Sequence, residues 1–205
     1  MVNPVAASKD EALEQQKEDP DEQQRERNFT HRAAMEFLRE WHSALNTTGA
    51  EKADGNHWAD RGDRAGLRRC RSIDEVLLSS VYFEVRHQLQ RRDINIWSDR
   101  RLASVVGLLA RVKVNDESDS FARQLARRRK ESNDAKLSGL RFRRLLQIDD
   151  RDTLYEKMIG VIRLLDGSIN VPSFARDIFY WNPDTSCDVR KKWAEQYYSQ
   201  LPEED

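Results

Sequence analysis

Cysteine is almost absent from this chain. Cys70 and Cys187 are the only two, and a single conceivable pair argues against a disulfide framework and for two free thiols in a reducing cytoplasm. Turn-formers are scarce as well. Eight glycines and five prolines in 205 residues are too few for a many-stranded β fold, which leaves helices as the main element. No apolar run approaches the roughly 20 residues that a membrane-spanning helix needs. The opening MVNPVAASKDEALEQQ lacks the apolar core of a secretory signal. The expectation is a cytoplasmic protein without membrane contact.

Catalytic signatures are missing too. The four histidines, His31, His42, His57 and His87, show no ligand spacing with cysteine or with one another. No nucleophile elbow and no phosphate-cradling glycine loop occurs. No catalytic residue, metal or cofactor is therefore expected. Asp149, Asp150 and Asp152 of QIDDRDTL could be taken for the carboxylates of a metal-dependent nuclease. They fit a helix start better, because the macrodipole favours acidic residues in the first turn.

Hydrophobic residues make up 38% of the chain, enough to fill one domain or two small halves sharing a core. Residues 1–60 are rich in acid, with almost no large apolar residue between Leu13 and Phe29. Residues 1–28 read as a disordered acidic tail, since such a segment buries too little surface to offset its ordering entropy. Thr30 is a suitable N-cap for a helix carrying Met35, Leu38, Trp41 and Leu45. Residues 46–61 look like a polar loop. Helices are expected from Asp63, from Ser72 through Val76, Leu77, Val81 and Val85, and from Ser98 through Leu109. Others follow near 120–130, 139–148 and 150–165, then over Val171–Trp181 and Cys187–Leu201. The fold class is all-α, a bundle of about eight or nine helices in two packed halves, 29–115 and 116–205.

The formal net charge of −1 conceals a strong asymmetry. Residues 61–144 hold 21 Lys and Arg against 11 Asp and Glu, a net of +10, between acidic ends of −6 and −5. Such segregation creates a local field even in a neutral chain. Arg64, Arg68 and Arg71 stand at i, i+4 and i+7, and Arg123, Arg127 and Lys130 repeat that spacing. On a helix each set would lie along one face. In GLRFRRLLQI, Phe142, Leu145 and Leu146 gather on one side while Arg144 points nearly opposite, with Arg141 and Arg143 flanking it. Arg100 and Arg111, about three turns apart, form a fourth candidate row. Like charges on neighbouring turns repel by about 0.2–0.5 kcal/mol per pair, so unmixed rows point to an anionic partner. Arginine outnumbers lysine, and its planar fork suits phosphate oxygens. A sequence-reading helix-turn-helix is disfavoured, because ESNDAKL is too long for its turn. Binding through the nucleic-acid backbone, indifferent to sequence, fits better.

The late aromatics read as core. Phe174, Ile178 and Trp181 step by helical spacing, and Trp193 pairs with Tyr197 at i+4.

DRAGLRRC, RFRRLLQIDDRDTLYEKMIGVIRLL, VPSFARDIFYW and VRKKWAEQYY occur in that order. Together they resemble the small subunit, often called CasB, of the type I-E CRISPR surveillance complex Cascade, over roughly residues 30 to 200. The resemblance implies an elongated all-helical protein without enzymatic activity, present as two copies arranged head to tail. It also implies contacts with guide RNA, with the target and displaced DNA strands, and with the backbone and large subunits. Arg64, Arg68, Arg69, Arg141, Arg143 and Arg144 match basic positions of the family pattern. The acidic tail and the loop 46–61 fall outside it. The competing expectation is an architectural helical subunit whose arginines meet acidic protein surfaces rather than nucleic acid.

Overall fold

A computed structural model describes residues 20–46, 61–96, 98–129, 134–181 and 189–201. These form ten helices and one pair of two-residue strands, an all-α fold. In chain order the elements are α1 (Pro20–Asn46), α2 (Arg61–Arg69), α3 (Ile73–Leu77), α4 (Ser80–Gln90) and α5 (Asp99–Leu109). Then come β1 (Val114–Asn115), α6 (Phe121–Ala126), α7 (Gly139–Leu146), α8 (Arg151–Leu164), β2 (Ser168–Ile169), α9 (Val171–Phe179) and α10 (Val189–Tyr198). Residues 1–19, most of the loop 46–61, Lys130 and Cys187 lie outside the described residues.

The centre of the fold is α5. Every residue from Leu102 to Leu109 is buried, the pattern of a helix enclosed on all sides rather than one with a single apolar stripe. It packs against α3, α9, α8 and α2, while α1 lies on α9 and α6 on α10. Enclosure demands a small residue where neighbours crowd in. At Gly107 an added Cβ would stand 2.5 Å from the Tyr155 hydroxyl and 2.7 Å from Val76 Cγ2. The core crosses the expected division at residue 115: α5 meets α8 and α9, and β1 pairs in parallel with β2. The stretches 29–115 and 116–205 share one hydrophobic core. Among the described residues no helix is long and apolar enough to cross a membrane.

Several helix boundaries differ from those expected. The first helix begins at Pro20 rather than at Thr30, so the segment read as a tail is helical from Pro20 onward. Proline suits a first helical position, and the Gln, Glu and Arg that follow are strong helix formers. The helix expected from Ser72 through Val85 breaks in two, because Ser79 provides a second cap by accepting from the Tyr82 amide at 3.2 Å. Ser72 caps α3 as expected, accepting from Glu75 N, while Glu75 reaches back to the Arg71 amide at 2.8 Å. Asp150 caps α8 by accepting from Thr153 N at 2.7 Å, the role read for this acidic run.

Gly107→Ala forces Tyr155 or Val76 to shift and is expected to cost about 1–3 kcal/mol. Differential scanning calorimetry should show the midpoint falling by roughly 2–4 °C per kcal/mol. An unchanged midpoint would contradict the close packing around α5.

Candidate nucleic-acid interface

The predicted basic rows separate into arginines that face inward and arginines that face water. Arg64 faces inward. Its Nε donates to the Ala110 carbonyl at 3.0 Å and its Nη2 to the Val112 carbonyl at 2.8 Å. Its Nη1 reaches Asn46 Oδ1. This one fork joins α1, α2 and the end of α5. His42 packs into the same seam, its Nε2 3.1 Å from the Val112 carbonyl. Burial, aided by the nearby Arg64 charge, holds His42 below its ordinary range despite that contact.

Arg111 is a second clamp. The last carbonyls of any helix lack intrahelical partners, and Arg111 supplies donors to those of α2. Its Nη1 donates to Leu67 O at 3.2 Å, and its Nη2 donates to Arg68 O at 3.2 Å and to Cys70 O. Tyr155 closes the cluster by donating from its hydroxyl to Cys70 O at 3.3 Å. Burial pushes that phenol up to about 12, so it keeps the proton it donates.

Arg100 and Arg127 meet carboxylates instead. Arg100 bridges Asp74 and Asp152, each at 2.6 Å, and so links α5 to α3 and α8. Arg127 holds Asp116 at 2.8 Å and Asp119 at 2.6 Å. Hydrogen bonds from Ser118 and then Arg127 hold the Asp116 carboxyl down at about 2. The expected row does not run on from Arg123 to Arg127 along one helix, because α6 stops at Ala126 and Arg127 turns out of helical geometry, and Lys130 lies outside the described residues. The row Arg64, Arg68 and Arg71 is likewise interrupted, since α2 ends at Arg69.

Seven predicted residues remain outward: Arg68, Arg69, Arg71, Arg123, Arg141, Arg143 and Arg144 are all exposed. Their side chains take no hydrogen bond or ion pair among the described residues. Arg68, Arg69 and Arg71 cluster where α2 gives way to α3, on the carbonyls that Arg111 fastens. Arg141, Arg143 and Arg144 stand on α7, whose Phe142 and Leu145 are buried as the spacing predicts. Arg123 lies on α6, opposite buried Phe121 and Leu125. The acids close in sequence have other partners. Asp74 and Asp152 hold Arg100, Asp149 holds Arg190 at 2.6 Å, and Asp150 caps α8. Neither outward cluster is neutralised by them.

Two polar nodes were not anticipated. Arg151, the first residue of α8, donates to Ile178 O at 2.9 Å and Trp181 O at 2.7 Å, closing the end of α9. Burial pulls its guanidinium down to about 10. A cation in a first helical turn opposes the macrodipole, and that misfit was the available signal. Asp177 is buried beneath Trp193 Nε1 and Lys192 Nζ, both at 2.7 Å. No sequence spacing marks it as more than a surface acid. Among the described residues no group of His, Cys, Asp or Glu could hold a metal ion.

The family model described as CRISPR-associated protein Cse2 matches residues 63–198, which contain all twelve predicted site residues. Comparison with the curated proteins and with the solved structures finds no match.

The division of the arginines predicts opposite outcomes for two neighbours. Arg64→Ala leaves the Ala110 carbonyl without its donor and takes one of two partners from the Val112 carbonyl, and should lower stability by about 1–3 kcal/mol. Arg68→Ala should stay within about 0.5 kcal/mol of the parent, as surface changes do. Urea unfolding of both variants decides the matter, and equal midpoints would contradict the assignment of Arg64 as a clamp.

Proposed function

Because the chain belongs to the Cse2 family of CRISPR-associated proteins, the small subunits of type I-E Cascade, we propose that it acts there without catalysis, holding nucleic-acid strands by their phosphates. The strands are the guide RNA, the target DNA and the displaced single strand. The observation that carries this reading is the pair of clusters, Arg68–Arg69–Arg71 and Arg141–Arg143–Arg144, that no carboxylate neutralises among the described residues. They persist although the same chain pairs Arg100 and Arg127 with carboxylates. Arg123 adds a seventh outward charge. In RNA-guided systems base pairing reads sequence and the protein positions strands through their backbones. A guanidinium on a fixed helix end or face suits that task, because it grips two phosphate oxygens without reading a base. Arg64, Arg100, Arg111 and Arg127 contribute by fixing the elements that carry the outward groups. Lys130 belongs to the same basic segment.

The partners are the backbone and large subunits of the complex and a second copy of this chain, in the cytoplasm. The architectural alternative, with protein contacts alone, draws on Leu78 and Phe83 of the α3–α4 corner. Their exposures of 83% and 61% leave an apolar surface uncovered. That surface serves contacts with protein neighbours beside the strand-holding role.

Fluorescence anisotropy of the whole chain with single-stranded DNA, over ~50 to ~200 mM salt, tests the reading. Each phosphate contact adds about 0.7 to the salt slope for a single strand. The triple variant Arg141→Ala, Arg143→Ala, Arg144→Ala should lower the slope by about 2 and weaken every sequence alike. Absence of binding at any salt, or a variant with unaltered slope, would leave the architectural alternative standing.

A further inference from the structure

Most late aromatics are buried and belong to the core. Phe121, Phe174, Trp181, Trp193 and Tyr197 have relative exposures of 2% or less. Tyr198 is different. It is 45% exposed, at the last position of α10. Its ring stands perpendicular to two others, 82° from Phe142 with centroids 5.9 Å apart and 90° from Tyr197 at 5.3 Å. Those two rings are stacked on each other at 3.9 Å and 11°. Tyr197 is itself fixed, its hydroxyl donating to the Leu137 carbonyl at 2.5 Å. The exposed ring is thus pinned by a rigid pair, and tyrosine has only two side-chain torsions to lose on binding.

The position of this ring gives it a use. Phe142, which it touches, lies between Arg141 and Arg143 on α7, the helix with three outward guanidiniums. Leu140, 53% exposed, adds apolar surface to the same helix. A half-exposed aromatic ring packed against a helix that carries outward cations is the combination that holds single-stranded nucleic acid: the cations follow the backbone and the ring stacks on an unpaired base. A duplex keeps its bases stacked on one another and offers the ring nothing. A basic protein surface would be repelled by the three arginines beside it, which are unpaired among the described residues, and a neutral one would have to strip their water without supplying a counter-charge.

We infer that Tyr198 is a stacking platform for an unpaired base of single-stranded DNA, with Arg141, Arg143 and Arg144 holding the adjoining phosphates. This rests on the strand-holding role proposed above and gives that role a preference for single strands over duplex.

The test compares oligo(dT) with an abasic strand of equal length, both titrated by anisotropy against the whole chain. The abasic strand keeps every phosphate and lacks the bases. The parent protein should prefer oligo(dT) by about 5- to 150-fold, the range for one stacked base. Tyr198→Leu, which keeps apolar bulk over Phe142, should abolish that preference with the salt slope unchanged, and Tyr198→Phe should preserve it. The triple arginine variant should weaken both strands while keeping the preference. Equal binding of the two strands by the parent would overturn the stacking role alone, as would a preference that survives Tyr198→Leu. Failure of the parent to bind either strand would overturn the strand-holding role together with it. If Tyr198→Leu instead weakens only association with the purified partner subunits, the ring is a protein contact and the stacking role is refuted.

Discussion

The ends of helices are the structural problem this chain has to solve, and arginine is its solution. Ten helices among the described residues create many terminal carbonyls, and each one buried without a donor costs stability. Arg64 closes the end of α5, Arg111 the end of α2 and Arg151 the end of α9. In each case one planar fork reaches two or more acceptors, which a single point-like ammonium cannot do as well. The central helix α5 leads into two of these nodes, so the packing of the core and the placing of the surface depend on the same contacts.

That arrangement accounts for the charge asymmetry in physical terms. The basic middle of the chain is not one patch. Part of its positive charge lies inside on carbonyls, part faces carboxylates at Asp74, Asp116, Asp119 and Asp152, and Arg68, Arg69, Arg71, Arg123, Arg141, Arg143 and Arg144 point to water. The inward arginines also determine where the outward ones stand. Arg111 fastens the carbonyls of Leu67, Arg68 and Cys70, and the side chains of Arg68, Arg69 and Arg71 radiate from that segment. The cluster on α7 is placed differently, by the Phe142 ring stacked on Tyr197. The first cluster is therefore held by hydrogen bonds and the second by aromatic packing.

What could be read from the chain follows the range of the forces involved. Local periodicity revealed α7 with its outward arginines, the capping role of Asp150, and the burial of Phe174, Ile178 and Trp181. Each of these depends on neighbours within about two turns. The start of α1 was missed because helix propensity carried the chain past a residue that resembles a cap. The strands β1 and β2, two residues each, are too short to show alternation. The fate of individual arginines was the least legible feature. Arg64 finds its acceptors 46 and 48 positions away, and Arg111 reaches Leu67 from 44 positions away. A guanidinium on a carbonyl and one in water are identical in sequence, so spacing placed Arg64 and Arg68 in one row where the fold separates them.

The claim on which the rest turns is that the fork of Arg111, and not merely its charge, secures the end of α2 against α5. Equilibrium urea unfolding of Arg111→Lys tests it most directly, since lysine keeps the charge but supplies its donors from one atom. The account predicts a loss of about 1–3 kcal/mol. Stability within about 0.5 kcal/mol of the parent would contradict it.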